Sequence, residues 1–387
     1  MFPIFMDFHS TTPVDRRVLE VMIPFFGEHF GNASSRTHAF GWRAEQAVRH
    51  ARQQVAELIG ARSKDIVFTS GATESDNLAI LGAARANRSR GHHVVTIVTE
   101  HRAVLDSCRQ LEQEGFRVSW LPVGSDGQLE VDRLVASLTP ETVLVSVMAA
   151  NNEIGVLQAL QSIGRVTRAR GILFHTDAAQ AAGKVPFDVD DLNVDLVSMT
   201  AHKMYGPKGV GALYVRAGTR LAPMLLGGGH ERGFRSGTLN VPGIVGFGEA
   251  AALSAREELA DEGVRIGALR DRLLAGLRER LDGVLVNGSL SARLPQNLNV
   301  SFEGVDGDAL LTGLSDVAVS PGAACSSASK EPSHVLRAIG RSDALARASI
   351  RFGLGRSNTD AEVDRVVDYV ASLIKRLRGQ PAFSNWQ

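Results

Sequence analysis

Four residues in this sequence have a type and a setting that could do chemistry. Lys203, in "SMTAHKMYGPKGVGALYV", follows an apolar strand-like run and precedes a glycine-rich turn into another. A lysine held there is partly desolvated, which lowers its pKa and frees the amine to form a Schiff base with an aldehyde. Asp177 ends the run in "ILFHTDAAQ". A carboxylate at that place can keep a heterocyclic nitrogen protonated, as a pyridine electron sink requires. His101, in "VTEHRAV", stands where a strand passes into a helix; its ring could stack on a flat cofactor and move protons near neutral pH. Cys325, in "VSPGAACSSASKEPSH", has only small and polar neighbours and no apolar stripe to bury it. A flexible segment of about ten residues reaches up to roughly 30 Å, enough to swing a thiol between two places.

A second tier surrounds these. "FTSGATESDN" reads as strand, glycine turn and helix start, so the amides at Ala72 and Thr73 and the Thr73 hydroxyl offer donors to a phosphate. Asn152 and Gln180 sit at comparable strand ends and could hydrogen-bond a ring hydroxyl. Each residue also has a structural alternative. Lys203 could be a solvated loop lysine, Asp177 and Thr73 helix N-caps, and Cys325 an incidental exposed thiol. Cys108 shares a helical stripe with Val104 and Leu111, which marks a core cysteine. His92 and His93 adjoin a glycine and read as loop residues, while Pro332 suits the first turn of a helix. No His/Cys/Glu spacing resembles a metal site, and no stretch is a Walker loop.

The elements that must position these groups alternate along the chain. Up to about residue 255, β-rich runs such as "DIVFTS", "HVVTIVTE" and "ETVLVSVMAA" are separated by amphipathic helical patterns. That order predicts a mostly parallel sheet covered on both faces, with its ligand site beyond the carboxyl ends of the strands. From about 256 a charged helix, "LPQNLNVSFEG", the cysteine loop and a final amphipathic helix suggest a smaller α/β domain. The expected division is a large domain over 16–255 and a small one over 1–15 and 256–387, carrying the loop at about 319–331. The 387 residues are 44% hydrophobic with a formal net charge of zero. That balance gives no reason to expect nucleic acid or an acidic membrane as a partner. No apolar run approaches the roughly 20 residues that span a bilayer. The start lacks the basic and apolar regions of a secretory signal, and two cysteines do not make a disulfide framework. A cytoplasmic location is the expectation.

Taken together, these stretches resemble the cysteine desulfurases of the class V aminotransferase group, in the NifS/IscS-like branch. The resemblance rests on "FTSGATESDNLAI", "VTEHRAVLDSCRQLEQEGF", "NNEIGV", "HTDAAQ", "AHKMYGPKGVGALYVR", "GGGHERGFRSGT" and "CSSASKEPSHVLRAIG", in that order. It implies the pyridoxal phosphate (PLP) fold type I, whose large domain holds a mostly parallel seven-stranded sheet. It implies that Lys203 carries PLP, that Asp177 pairs with the pyridinium nitrogen and that His101 stacks on the ring. Ala72, Thr73, Thr200 and His202 resemble phosphate contacts, joined by Thr238 from the second subunit of a homodimer. Asn152 and Gln180 match ring-contacting positions; Arg351 matches the arginine for the substrate carboxylate, with Asn32 and Asn152 near it. The implied reaction takes sulfur from L-cysteine as a persulfide on Cys325 and leaves alanine. The sulfur then passes to an acceptor protein, an iron–sulfur scaffold or a thiolation enzyme. Supply of tRNA thiolation or DNA phosphorothioation, transamination and selenocysteine lysis are the alternatives on the same fold. Pro321 in "SPGAAC" departs from the usual pattern before the cysteine.

Overall fold

A computed structural model describes residues 3–255, 258–321 and 331–379. Seven short apolar runs pair into one sheet: β2 (Ile66–Thr69), β3 (His93–Ile97), β4 (Arg117–Leu121), β5 (Thr142–Ser146), β6 (Leu173–Asp177), β7 (Leu196–Thr200) and β8 (Gly211–Val215). Their order is β2-β8-β7-β6-β5-β3-β4. Only β8 runs antiparallel to its neighbours; the remaining pairs are parallel. Nearly every residue of the inner strands is buried because helices cover both faces. Alternation along each strand divides the core. Phe68, Val95 and Phe174 join the helices Ala39–Glu57 and Val241–Ala255 on one face. On the other, Val67, Val94 and Leu144 pack on Ala72–Ala86 and Arg102–Gln113, where Cys108 is fully buried.

A second apolar core surrounds a four-stranded antiparallel sheet, ordered β12-β13-β10-β9. Its strands are β9 (Val284–Val286), β10 (Asn297–Phe302), β12 (Ser320–Pro321) and β13 (Ser349–Gly353). Leu298, Val300, Phe302, Ile350 and Phe352 pack there against the helices Glu258–Arg280 and Asp360–Gly379. The N-terminal β1 (Ile4–Phe5) pairs in parallel with β11 (Val317–Ala318), and Met6 joins this core. Val18, a dozen residues later, belongs to the core of the large sheet. No helix among the described residues is long and apolar enough to cross a membrane.

Two local readings of the sequence are corrected. His93 is not a loop residue: it opens β3, fully buried, because Thr142 and Ser119 hydroxyls, each 2.8 Å away, satisfy both ring nitrogens. Pro332 precedes its helix rather than entering it. Ser333 is the N-cap of His334–Ala338, its hydroxyl accepting from the amides of Val335 and Leu336.

Candidate active site

The carboxyl ends of β2, β3, β5, β6 and β7 open on one cavity of about 610 Å³. They deliver Gly71, Ala72 and Thr73, then His101, Asn152, Asp177 and Gln180, and finally Thr200, His202 and Lys203. Local chemistry explains each placement. Gly71, at φ 155°, turns the chain from β2 into the helix Ala72–Ala86. The turn rests on β8, where a Cβ on Gly211 would lie 2.6 Å from Gly71 Cα and 2.5 Å from the Met199 carbonyl oxygen. The amide-rich start of that helix, with Thr73, Thr200 and Lys208 beside it, makes one end of the cavity suited to an anion.

His202 adds a neutral ring to this end. Burial, reinforced by Lys203, holds it down to about 4, and its Nδ1 lies 3.2 Å from the Thr11 hydroxyl. Lys203 leaves the short 3₁₀ turn after β7 and donates to the carbonyl oxygens of His9 and Ser10, the latter at 2.7 Å. His9 is fully buried and neutral, because burial first and Lys184 next hold it well below the usual histidine range. Gln180 fastens it: Oε1 lies 3.0 Å from His9 Nδ1, while Nε2 donates to the His9 carbonyl at 2.9 Å.

At the other end of the floor, Asp177 Oδ1 accepts the Ala179 amide at 2.8 Å. This bond closes a turn rather than capping a helix, because residues 179–184 are turns; the same carboxyl lines the cavity. Burial pushes this carboxyl up, against the pull of His101 and Lys203. His101 is exposed to the cavity and does cap a helix, its Nδ1 accepting the Ala103 amide at 3.2 Å.

Arg351 forms the opposite wall from the middle of β13 and is 4% exposed. Nη1 donates to the Asn152 carbonyl at 2.8 Å; Nη2 donates to Asp7 Oδ1 at 2.7 Å, Ser320 Oγ at 2.7 Å and Ser10 Oγ at 2.9 Å. A guanidinium fixed so completely is ready for a carboxylate.

Two expected residues stand elsewhere. Asn32 is exposed, its Oδ1 accepting the Ser34 amide at 2.9 Å, and Thr238 is exposed on a turn; neither lines the cavity. Cys325 lies outside the described residues. The described residues flanking positions 322–330 contact Arg351 or chain neighbours of Asn152 and His101. Ser320 pairs with Arg351, while Ser333 donates to Glu153 and His334 Nε2 lies 3.1 Å from the Glu100 carbonyl. Sequence reasoning missed Asp7, His9 and Ser10. Their only signal was the polar Asp7, His9 and Ser10 following the apolar "IFM" near the start.

The geometry agrees with what known proteins share with the chain. It is 62% identical over 378 residues to the cysteine desulfurase IscS of Anaeromyxobacter sp. (strain Fw109-5), covering 97% of this chain and 93% of that protein. The cysteine desulfurase IscS of Methylococcus capsulatus is 55% identical over the same shares. Among solved structures, a NifS-like protein superposes with a TM-score of 0.91 at 38% identity, covering 97% of this chain and all of that one. The structure described as SspA in complex with cysteine gives 0.80 at 37% identity, covering 91% and 98%. Residues 4–366 match the aminotransferase class-V model. The chain belongs to the aminotransferase class-V family.

Proposed function

We propose that this chain is a cysteine desulfurase that converts L-cysteine to L-alanine with pyridoxal phosphate and carries the sulfur as a persulfide on Cys325. One observation carries the reading: Lys203, Asp177 and Arg351 line the same cavity. The cysteine desulfurase IscS relatives, up to 62% identical, support it. The donor set fits the cofactor. Lys203 would hold its aldehyde carbon, Asp177 its ring nitrogen and His101 its ring face. Ala72, Thr73, Thr200 and His202 would hold its phosphate, with Asn152 and Gln180 beside the ring hydroxyl. When bound, the pyridine ring supplies the electron sink that makes the substrate α-proton acidic.

The chain's own groups do the remainder. Arg351 binds the substrate carboxylate, aided by Asn152 and, after a shift of its loop, Asn32. The Lys203 amine takes the α-proton and His101 moves protons near the sulfur. The Cys325 thiolate attacks the substrate sulfur; an S–S bond forms as the C–S bond breaks, and the carbon that loses sulfur gains a proton. No outside oxidant is consumed. A nucleophile that must take sulfur and deliver it elsewhere belongs on a tether rather than on a core element.

The acceptor in this reading is an iron–sulfur scaffold, in keeping with the IscS relatives. The active form is a homodimer in which Thr238 reaches the partner's phosphate end. Exposed Phe26, Phe30, Phe40, Trp42 and Leu226 supply apolar surface for such an interface. The division into a large unit over 16–255 and a smaller unit over the remainder is supported by separate apolar cores around the two sheets. The test is Cys325→Ala. It is expected to lower alanine and sulfide formation at least ~10³-fold while cofactor absorbance persists. Cys108→Ala, at a buried thiol, serves as the control that retains activity. Normal desulfuration by Cys325→Ala would overturn the reading.

A further inference from the structure

Behind the ring end of the cavity lies a group that the proposed reaction does not use. Asp76, in the helix Ala72–Ala86, is fully buried, yet neither of its carboxyl oxygens has a hydrogen-bond partner among the described residues. Polar atoms of Asp76, His101 and Asp177 all lie within 4.8 Å of one another. His175 Nε2 is 3.6 Å from Asp76 Oδ1. That imidazole is already bonded to Ser198 at 3.0 Å and Ser146 at 2.8 Å. Burial holds His175 down to about 3, so it presents no positive charge. Glu100, also fully buried, accepts the Met148 amide at 2.6 Å through one oxygen and has no partner for the other.

Three buried carboxyl groups therefore share one region. Neighbouring buried carboxylates cannot all stay ionised, because desolvation and mutual repulsion both favour a retained proton. The donors decide which group keeps it. Asp177 has the Ala179 amide, and Lys203 and His101 beside it favour its ionised form. Asp76 has neither an amide nor a cation. Burial pushes it well above the usual carboxylate range, and the charge of Asp177 pushes in the same direction, against the Ser198 hydroxyl nearby, which is itself bonded to His175. Burial does the same to Glu100.

We propose that Asp76 is a positioning residue, a neutral carboxylic acid behind Asp177 that aims its one O–H at that carboxylate and leaves Asp177 as the ionised partner of the ring nitrogen. This rests on the cofactor reading given above. An ionised Asp76 would draw a proton onto Asp177 and spoil its pairing with a protonated ring. An apolar side chain at 76 would leave the back of Asp177 without a donor. The neutral acid avoids both outcomes.

Infrared difference spectroscopy on the cofactor-free full chain and on the holoenzyme reads the carbonyl band of a protonated carboxylic acid. The expected result is an aspartic acid band that persists at pH 8 and disappears in Asp76→Asn. Because asparagine keeps both shape and neutrality, the pH at which the bound cofactor's visible absorption titrates should move by less than about one unit. A band untouched by Asp76→Asn, or a larger movement of that titration, would overturn the proposal. If Asp76→Asn does not fold, Asp76→Glu decides the matter: it keeps the acid but moves its carbonyl band, so a shifted acid band at pH 8 supports the assignment and an unmoved one refutes it. The infrared readout needs no cofactor, so failure of the chain to bind pyridoxal phosphate would count against the cofactor reading separately.

Discussion

The two sheets reach the cavity by different routes. The seven-stranded sheet presents its groups from strand ends, where Lys203, Asp177 and His101 are placed by turns and helix starts. The four-stranded sheet presents Arg351 from mid-strand, paired with Ser320 on one side and Asn299 on the other. A turn can reposition one side chain without disturbing its neighbours. A mid-strand residue is fixed by its ladder and has to be aimed by other segments, here Asp7, Ser10, Ser320 and the Asn152 carbonyl. On the proposed reading, the chemistry thus rests on parts that can adjust, and recognition of the substrate's charge on a part that cannot.

Breaking the strand-end side should cost most. Lys203→Ala is expected to lower cysteine desulfuration by ~10³-fold or more, read as alanine formed under saturating cofactor. On the mid-strand side, Arg351→Lys keeps the charge but loses the planar fork. It should lower kcat/KM by roughly 10- to 100-fold, mostly through KM, as expected for one charged hydrogen bond. Asp7→Asn loosens the guanidinium without removing it, so a rise in KM of about 10-fold or less is expected. Equal effects of Asp7→Asn on KM and kcat would argue against this division of labour.

The buried histidines should also show in acid. Burial holds His93 to about 4 and His175 to about 3, and both belong to the large sheet. These values lie below the unfolded value of about 6.5, so as pH falls past it the unfolded chain takes up protons first and the histidines' contribution to stability drops. That drop is about 2 kcal/mol per histidine at pH 5 and levels off only below the folded values. Asp76 and Glu100, raised by burial, act in the opposite sense over this range, because only the unfolded chain has released their protons at pH 7. Comparison with His93→Gln isolates the histidine: the urea midpoint of the variant should fall less between pH 7 and pH 5.

The same contrast explains what the sequence disclosed. Parallel strands buried on both faces appear as unbroken apolar runs, so their ends, and with them Lys203, Asp177 and His101, could be located from the chain alone. Arg351 is reached only through the family resemblance, because "SIRFG" is a buried run whose one charge gives no hint of its partners. Its aiming carboxylate, Asp7, is 344 residues away and leaves no local pattern. His93 reads as a loop residue in the sequence because the two hydroxyls that permit its burial come from other strands. Asp76 carries no signal of its own in "TESDN"; the packing of its helix on the sheet turns it inward.

Gly211 never borders the cavity, yet its missing side chain is what lets the Gly71 turn lie flat on β8. A single methyl there would collide with the backbone of β7 at Met199 and of the Gly71 turn, neither of which can step aside without unseating a wall of the pocket. Vulnerability in this enzyme is therefore not graded by distance from the reacting atoms. One of its least forgiving positions is occupied by a hydrogen.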